Sequence, residues 1–498
     1  MRFGYDVTSS IGYYVNSRRK RTRHAQTGTA PTRGALSLDG AAGRWVVAAA
    51  VLGSSAVFLE GTVVNVALPP IGRDLGFSLA ALQWLVDGYL LTLSALMLLG
   101  GALGDRYDRR RVFAVGCVAF GASCACAALA PTAALLLLCR VVQGAAGALL
   151  VPNSLALLET SFREADRGRA IGHWTAWSAV STAAGPFAGG GLLQIGSWRW
   201  VFATIVPVAL AAAWAAWRHV APAARREGAA PSVDVGGALL ATLGLAGTTW
   251  ALIEGPTRGV RDAWVLGAVA IGVGALVAFV VAERRVAHPL LPLSIFRSRQ
   301  FSGANGTTLL VYAALGGLFF LLMLELQNVL GYGPLAAGTA LLPLNALMLL
   351  VSPRAGKLAQ RIGPRLPMTV GSLVAAVGML LFARVGPGAH YVDTVLPAIL
   401  VFGVGLSVLV APLTAAVLGA VDDELAGVAS ALNNAVARLA GLLAIAALPI
   451  AAGFGAAREA SGRAFAAGFS RAMVICAGLC AAGAVVAWAT VRRGRRAA

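Results

Sequence analysis

Charged side chains set inside long apolar runs are where chemistry is most to be expected, because each costs free energy that a partner or a role must offset. Glu60, Asp87 and Arg140 stand in three such runs near the beginning of the chain. Counted from the ends of those runs, at 1.5 Å per helical residue, they lie roughly 12, 8 and 12 Å deep from one common face. Two readings stay open at this point. Arg140 can be neutralised by Glu60 or Asp87 in a structural ion pair, or the same groups can couple movement to a proton. Burial and a neighbouring guanidinium act on a carboxyl in opposite directions, so separating the pair would let the acid take up or release a proton. In that second reading Glu60 and Asp87 carry the proton, and Arg140, which does not titrate usefully, is the switchable counter-charge.

Arg438, beside Asn433 and Asn434, is the other deep cation, placed either to line an internal cavity or to bond helix backbones. Glu254 and Glu325 fall near run ends, where snorkelling to the interface is the expectation. Cys117, Cys124, Cys126, Cys139, Cys476 and Cys480 all sit in or beside apolar runs and read as small hydrophobes. The five histidines are scattered without ligand spacing, so no metal site and no cofactor are expected. There is no nucleophile motif and no loop long enough to fold a catalytic domain, which leaves a membrane enzyme as a remote alternative. A channel is disfavoured for want of a pore-loop segment.

The elements that must hold these residues are membrane helices. Of 498 residues, 58% are apolar and only 12% charged, against about a quarter charged in a soluble domain. Apolar runs long enough to span predict helices near 45–68, 82–103, 112–130, 132–158, 169–194 and 200–217. Two more follow near 235–254 and 264–282. Six others are expected near 304–328, 335–352, 367–384, 394–417, 429–452 and 469–491. Fourteen spans place both termini on one side. Eighteen basic residues fall in the loops on the tail side, among them Arg106, Arg109, Arg110 and Arg111, against eight in the opposite loops. By the positive-inside rule both tails are cytoplasmic. The net charge of +19 and the run Arg18-Arg19-Lys20-Arg21 are read as retention near anionic lipid rather than nucleic-acid binding. Residues 1–43 lack an apolar stretch of the signal-peptide kind.

Two tail-side loops repeat one another. Gly101, Leu103, Asp105 and Arg106 follow the second run, and Gly356, Leu358, Gln360 and Arg361 follow the tenth, with Arg110 and Arg365 four residues beyond. The expected organisation is a basic tail (1–43), a six-helix bundle (44–218) and a linker with two inserted helices (219–303). A second six-helix bundle (304–491) and a basic tail (492–498) complete it. Repeats of this kind mark transporters in which two bundles rock around a buried site.

The motifs carry a resemblance. Leu59-Glu60-Gly61-Thr62-Val63-Val64-Asn65-Val66-Ala67-Leu68-Pro69, Gly101 to Arg110, Leu138-Cys139-Arg140 with Gln143-Gly144, and Gly185-Pro186-Phe187-Ala188-Gly189-Gly190 occur in order. Together they resemble the major facilitator superfamily, and specifically its fourteen-span drug:proton antiporters of the EmrB/QacA type. The resemblance spans about residues 45–490 and implies the major facilitator fold. It also implies export of lipophilic, possibly cationic, drugs in exchange for protons by a multi-pass protein of the cytoplasmic membrane, expected as a monomer. Asp105, Arg106 and Arg109 would form a conformational latch. Gly185, Pro186, Gly189 and Gly190 would form the antiporter motif. Apart from the resemblance, Asn65, Asn434 and Arg438 are by residue type the candidates for lining a cavity, with backbone bonding still open for Arg438. Export of one endogenous metabolite, such as an antibiotic, is the alternative. Three residues depart from the pattern: Glu60 for an aspartate, Asp108 for a glycine of a tight turn, and Ile205 where asparagine is common.

Overall fold

The computed structural model describes residues 36–222, 234–286, 291, 293–422, 425–454 and 462–492. The expectations for the basic run 18–21, for Arg225, Arg226 and Arg458, for His24 and His288, and for residues 493–498 lie outside the described residues.

Helices account for nearly all of the described chain. The first group is α1 (Ala41–Leu75), α2 (Leu79–Tyr107), α3 (Arg109–Ala128), α4 (Ala133–Ser161), α5 (Glu164–Ile195) and α6 (Arg199–His219), the last interrupted at Thr204. A hairpin of α7 (Val235–Arg258) and α8 (Ala263–Glu283) follows. The second group is α9 (Arg299–Val329), α10 (Pro334–Ile362, interrupted at Leu341), α11 (Arg365–Phe382), α12 (Tyr391–Leu418), α13 (Ala426–Ala451) and α14 (Gly462–Thr490). Several begin where a short polar side chain satisfies free amides: Ser78, Thr132, Asp234, Asp262 and Ser298 each accept from the first turn of the helix that follows.

Thirteen of the described helices are long and apolar enough to cross a membrane. The count is therefore not the expected fourteen. The exception is α5, which covers the run expected at 169–194. It has 32 residues, ample length, but its first turns carry Glu164, Asp166, Arg167 and Arg169, and glycine and alanine make up much of the rest. It packs along α1 and against the start of α10, and its exposed side chains include His173, Thr175 and Thr182. The helix also exposes Trp177, Val180, Phe187 and Ile195, so apolar and polar groups share its surface; the exposed imidazole of His173 calls for an aqueous border in the half toward the basic loops.

Within the first group α4 packs against α2 and α3, while α1 lies against α5 and α6. In the second, α11 packs on α12 and α14, and α9 on α13 and α14. The α7–α8 hairpin rests on α2 and α13. The hydrogen bonds that join the two groups all lie in the half of the molecule away from the basic loops. Gln83 of α2 donates to the carbonyls of Ile445 (2.6 Å) and Ala446 (3.3 Å) on α13. Gln327 of α9 donates to Val66 O of α1 at 2.9 Å, and Asn345 of α10 to Ala183 O of α5 at 2.9 Å. The two groups are thus sealed at the far end.

Between α2 and α3 the chain turns at Asp108, the residue standing where a glycine was expected. Its φ of 111° is the only positive value outside glycine among the described residues. Its carboxylate accepts from Arg110 N at 3.1 Å and so caps α3. Strain and cap therefore oppose each other. Strain of this kind costs about 1–3 kcal/mol, and an aspartate cap exceeds a glycine by only a few tenths. Asp108→Gly is expected to raise the thermal midpoint of the detergent-solubilised protein, by about 1 kcal/mol or more in stability. Asp108→Ala, which keeps the strain and loses the cap, should lower it. A fall with glycine would contradict this account.

Candidate functional site

Arg140, on the second turn of α4, is 1% exposed, and its charged partner Glu60 on α1 is wholly buried. The two form an ion pair through Nη1 and Oε1. Arg140 Nη1 also donates to Gln143 Oε1 at 2.7 Å, and Nε donates to Leu85 O of α2 at 2.7 Å. Its guanidinium carbon lies 4.4 Å from the centre of the Tyr89 ring, whose hydroxyl donates to Val57 O of α1. Gln143 in turn donates to Cys124 Sγ of α3 at 2.8 Å, so this cysteine is a polar partner and not merely a small hydrophobe.

Of the three deep charges, the structure brings Glu60 and Arg140 together and leaves Asp87 aside. Asp87 is fully buried on α2, and neither of its carboxyl oxygens has a hydrogen-bond partner. It is close to the network through the chain itself, because the next residue, Gly88, packs against Arg140 and Val141 of α4. The expected matching depth is altered by α1, which continues to Leu75 rather than ending near 68. Glu60 therefore sits near the middle of its helix.

The four residues expected to form the antiporter motif make a packing surface. Gly185 and Gly189 face Thr62 and Val63 of α1, where a side chain has no room. Gly190 meets the other group of helices: a Cβ there would come within 2.6 Å of Leu335 Cα at the start of α10. Gly338 of α10 reciprocates, its open side filled by the Pro186 carbonyl. Backbone thus meets backbone at the far end, which only residues without side chains permit.

The expected latch lies at the opposite end. Asp105 accepts two bonds from Arg109, at 2.9 Å from Nε and 2.5 Å from Nη2, and Arg109 Nη1 reaches Ala156 O of α4. Arg106 lies over Tyr107. All of these contacts stay inside the first group. Among the cavity candidates, Asn65 donates back to Gly61 O at 3.4 Å. Asn434 is exposed and donates to Ser430 O, and Arg438 lies over Phe58 of α1.

Two acids behave otherwise than expected. Glu254 does not simply snorkel, since it accepts from Trp84 Nε1 at 3.2 Å and ties α7 to α2. Glu325 does not snorkel at all. It opens a π turn, Glu325–Val329, that carries it inward, and it is fully buried with both oxygens unpartnered. Burial of this sort depends on the packed neighbours, and no local sequence signal would have revealed it.

A family model described as Major Facilitator Superfamily matches residues 50–445. The chain belongs to the major facilitator superfamily. It is a multi-pass membrane protein and a secondary transporter. It is 38% identical over 405 residues to the tetracenomycin C resistance and export protein of Streptomyces glaucescens, covering 81% of this chain and 74% of that one. Identity to the puromycin resistance protein pur8 of Streptomyces alboniger is 38% over 396 residues, covering 79% and 78%. The multidrug resistance protein Stp of Mycobacterium tuberculosis is 34% identical over 390 residues, covering 77% and 71%. Among solved structures, a bacterial homologue of the lysosomal transporter Spinster, inward-facing and unoccupied, superposes with a TM-score of 0.64 at 16% identity. It covers 90% of this chain and 96% of that one. That likeness concerns the fold alone.

The buried pair makes a firm prediction. Removing one partner of a buried ion pair leaves an uncompensated charge and costs about 3–5 kcal/mol, whereas replacing both by apolar residues costs much less. Glu60→Leu should therefore destabilise the protein severely, and the double variant Glu60→Leu/Arg140→Leu should regain much of the loss. Thermal unfolding of the four proteins of this cycle measures it; simple additivity would show that the two residues do not act as a pair.

Proposed function

We propose that this transporter exports lipophilic drugs or antibiotics across the cytoplasmic membrane in exchange for protons, with both tails in the cytosol. The observation that carries the export reading is the 38% identity, over about four-fifths of the chain, to proteins named for resistance and export. Relatives named for methylenomycin A resistance stand at 34% identity, so several relatives are named for single compounds, which favours a narrow cargo range. The distribution of basic residues supports the orientation. With it, the far-end seal faces outward and the aqueous opening faces the cytosol, the conformation from which an exporter loads.

The proton reading rests on the geometry around Arg140. An ionised carboxylate without donors is costly in such surroundings, and a protonated one far less so. Asp87 has no donor, and Arg140, one helix away, is already committed to Glu60. Asp87 is accordingly the proposed proton carrier. When its proton leaves, the guanidinium is the charge that compensates, and redistributing Arg140 between Glu60 and Asp87 shifts helices α1, α2 and α4 against one another. That shift is the proposed link between proton transfer and the opening of the far end. No cofactor is required, because the proton gradient supplies the energy. The transporter works as a monomer, since each chain carries both groups of helices and the pair between them.

Cells expressing the protein should accumulate less of a transported antibiotic than control cells, and an uncoupler should abolish the difference. Asp87→Asn is expected to leave binding in place while reducing uphill export at least ten-fold. Export that persists with the uncoupler present would remove the proton from the mechanism and leave the transporter assignment intact.

A further inference from the structure

Arg438 lies halfway along α13, at mid-depth, and is partly exposed. Among the described residues it forms no ion pair and no hydrogen bond; its guanidinium carbon stands 5.6 Å from the centre of the Phe58 ring on α1. The guanidinium of Arg140 also lies over an aromatic ring, but it has Glu60, Gln143 and a backbone carbonyl as well. The acids at that depth do not serve Arg438, because Glu60 is taken and Asp87 is buried away from the opening.

The surroundings are aromatic and polar. Trp174 of α5 meets Phe58 edge-on at 6.3 Å, and its Nε1 is held by Ser54 Oγ at 2.9 Å. Asn434, one turn before Arg438 on the same face of α13, is exposed. An exposed amide and an unpaired guanidinium at mid-depth belong to an aqueous space between the two groups of helices, since lipid would accept neither. An unpaired cation there calls for an anion, and a guanidinium offers parallel donors that match a carboxylate.

We propose that Arg438, Phe58 and Trp174 form the binding site for an aromatic cargo that carries an acidic group, a carboxylate or a phenolate. The proposal rests on the export reading and names its substrate class. Arg438 belongs to one group of helices, and Phe58 and Trp174 belong to the other. A cargo held by the acid on one side and by its rings on the other bridges the two. When the groups rock apart at this level the guanidinium and the aromatic platform separate, and the site is dismantled, which releases the cargo. The acid-free guanidinium also disfavours a cationic cargo, because a positive charge beside it would be repelled.

Titration of the purified full-length protein with 2-naphthoate and with its neutral counterpart 2-naphthamide, followed by quenching of tryptophan fluorescence, tests the site. One charge-assisted, bidentate contact corresponds to about a ten-fold preference for the acid. Arg438→Gln should lose that preference while still binding the amide, and Phe58→Leu should weaken both probes alike. Arg438→Lys, which keeps the charge without the planar fork, should retain part of the preference; it also serves if the glutamine variant does not fold. Equal affinity for the two probes, absence of binding by either, or equal weakening of both in Arg438→Gln would overturn the proposal. The accumulation assay is read separately. Export of a neutral antibiotic by the unsubstituted protein keeps the export reading whatever the naphthoate result, and selective naphthoate binding by a protein that exports nothing would sink the export reading alone.

Discussion

A single guanidinium fixes the first group of helices. Arg140 of α4 reaches α1 through Glu60 and α2 through the Leu85 carbonyl and the Tyr89 ring, and its neighbour Gln143 reaches α3 through Cys124. Four helices are pinned at one point. In hydrocarbon there is no hydrophobic force to press helices together, so such contacts, with close packing, must do it. The pair is made through Glu60 Oε1 alone, Oε2 being buried without a donor, and it is rigid for the same reason that it is costly to break. Any motion of the first group as a unit, and any readjustment on protonation, has to pass through this junction.

The second group is held differently. No buried ion pair joins its described helices. Asn433 of α13 donates to Asn305 and Thr308 of α9 at 3.1 and 2.7 Å, and single side chains such as Thr307, Gln300 and Tyr391 donate to backbone carbonyls of neighbouring helices, at Gly483, Ala416 and Ala340. It also contains the irregular stretches: π turns at Glu325–Val329 and Tyr391–Val395, and the interruption of α10 at Leu341. Irregular backbone at membrane depth persists only where protein or water satisfies it. The two halves, related by the repeat of their tail-side loops, thus differ in mechanical character: the buried ion pair lies in the first, and both π turns lie in the second.

Much of this was legible in the sequence. Apolar runs found the helices because each must hide its backbone from lipid, and the cost of a buried charge pointed to a partner for Arg140 among Glu60 and Asp87, although the depth counted for Glu60 was not the one observed. What failed did so for reasons of packing. The length of α1 beyond Pro69 and Pro70 is invisible to hydropathy, since its last turns are polar. The mixed composition of α5 conceals whether it meets lipid or water, because that depends on where the second group stands. Asp87 and Glu325 are buried without partners only by virtue of neighbours far off in the chain. The opening beside Arg438 is a property of the angle between the two groups, and no run of residues encodes that angle locally.

That angle is held by weak contacts, and their weakness is what transport requires. Gln83, Gln327 and Asn345 cross between the groups as neutral amides donating to backbone carbonyls. A neutral bond of this type contributes only about 0.5–1.5 kcal/mol net, because water can take the place of either partner. The glycine contacts at Gly190 and Gly338 add close packing, and packing is lost smoothly as surfaces separate. By contrast the pair Glu60–Arg140, whose rupture would strand a charge, lies wholly inside one group. A strong interaction therefore maintains the first half, and only exchangeable ones close the gap between the two. The far end can open to solvent by exchanging these neutral bonds for water, while Arg140 keeps a carboxyl partner within its own group of helices.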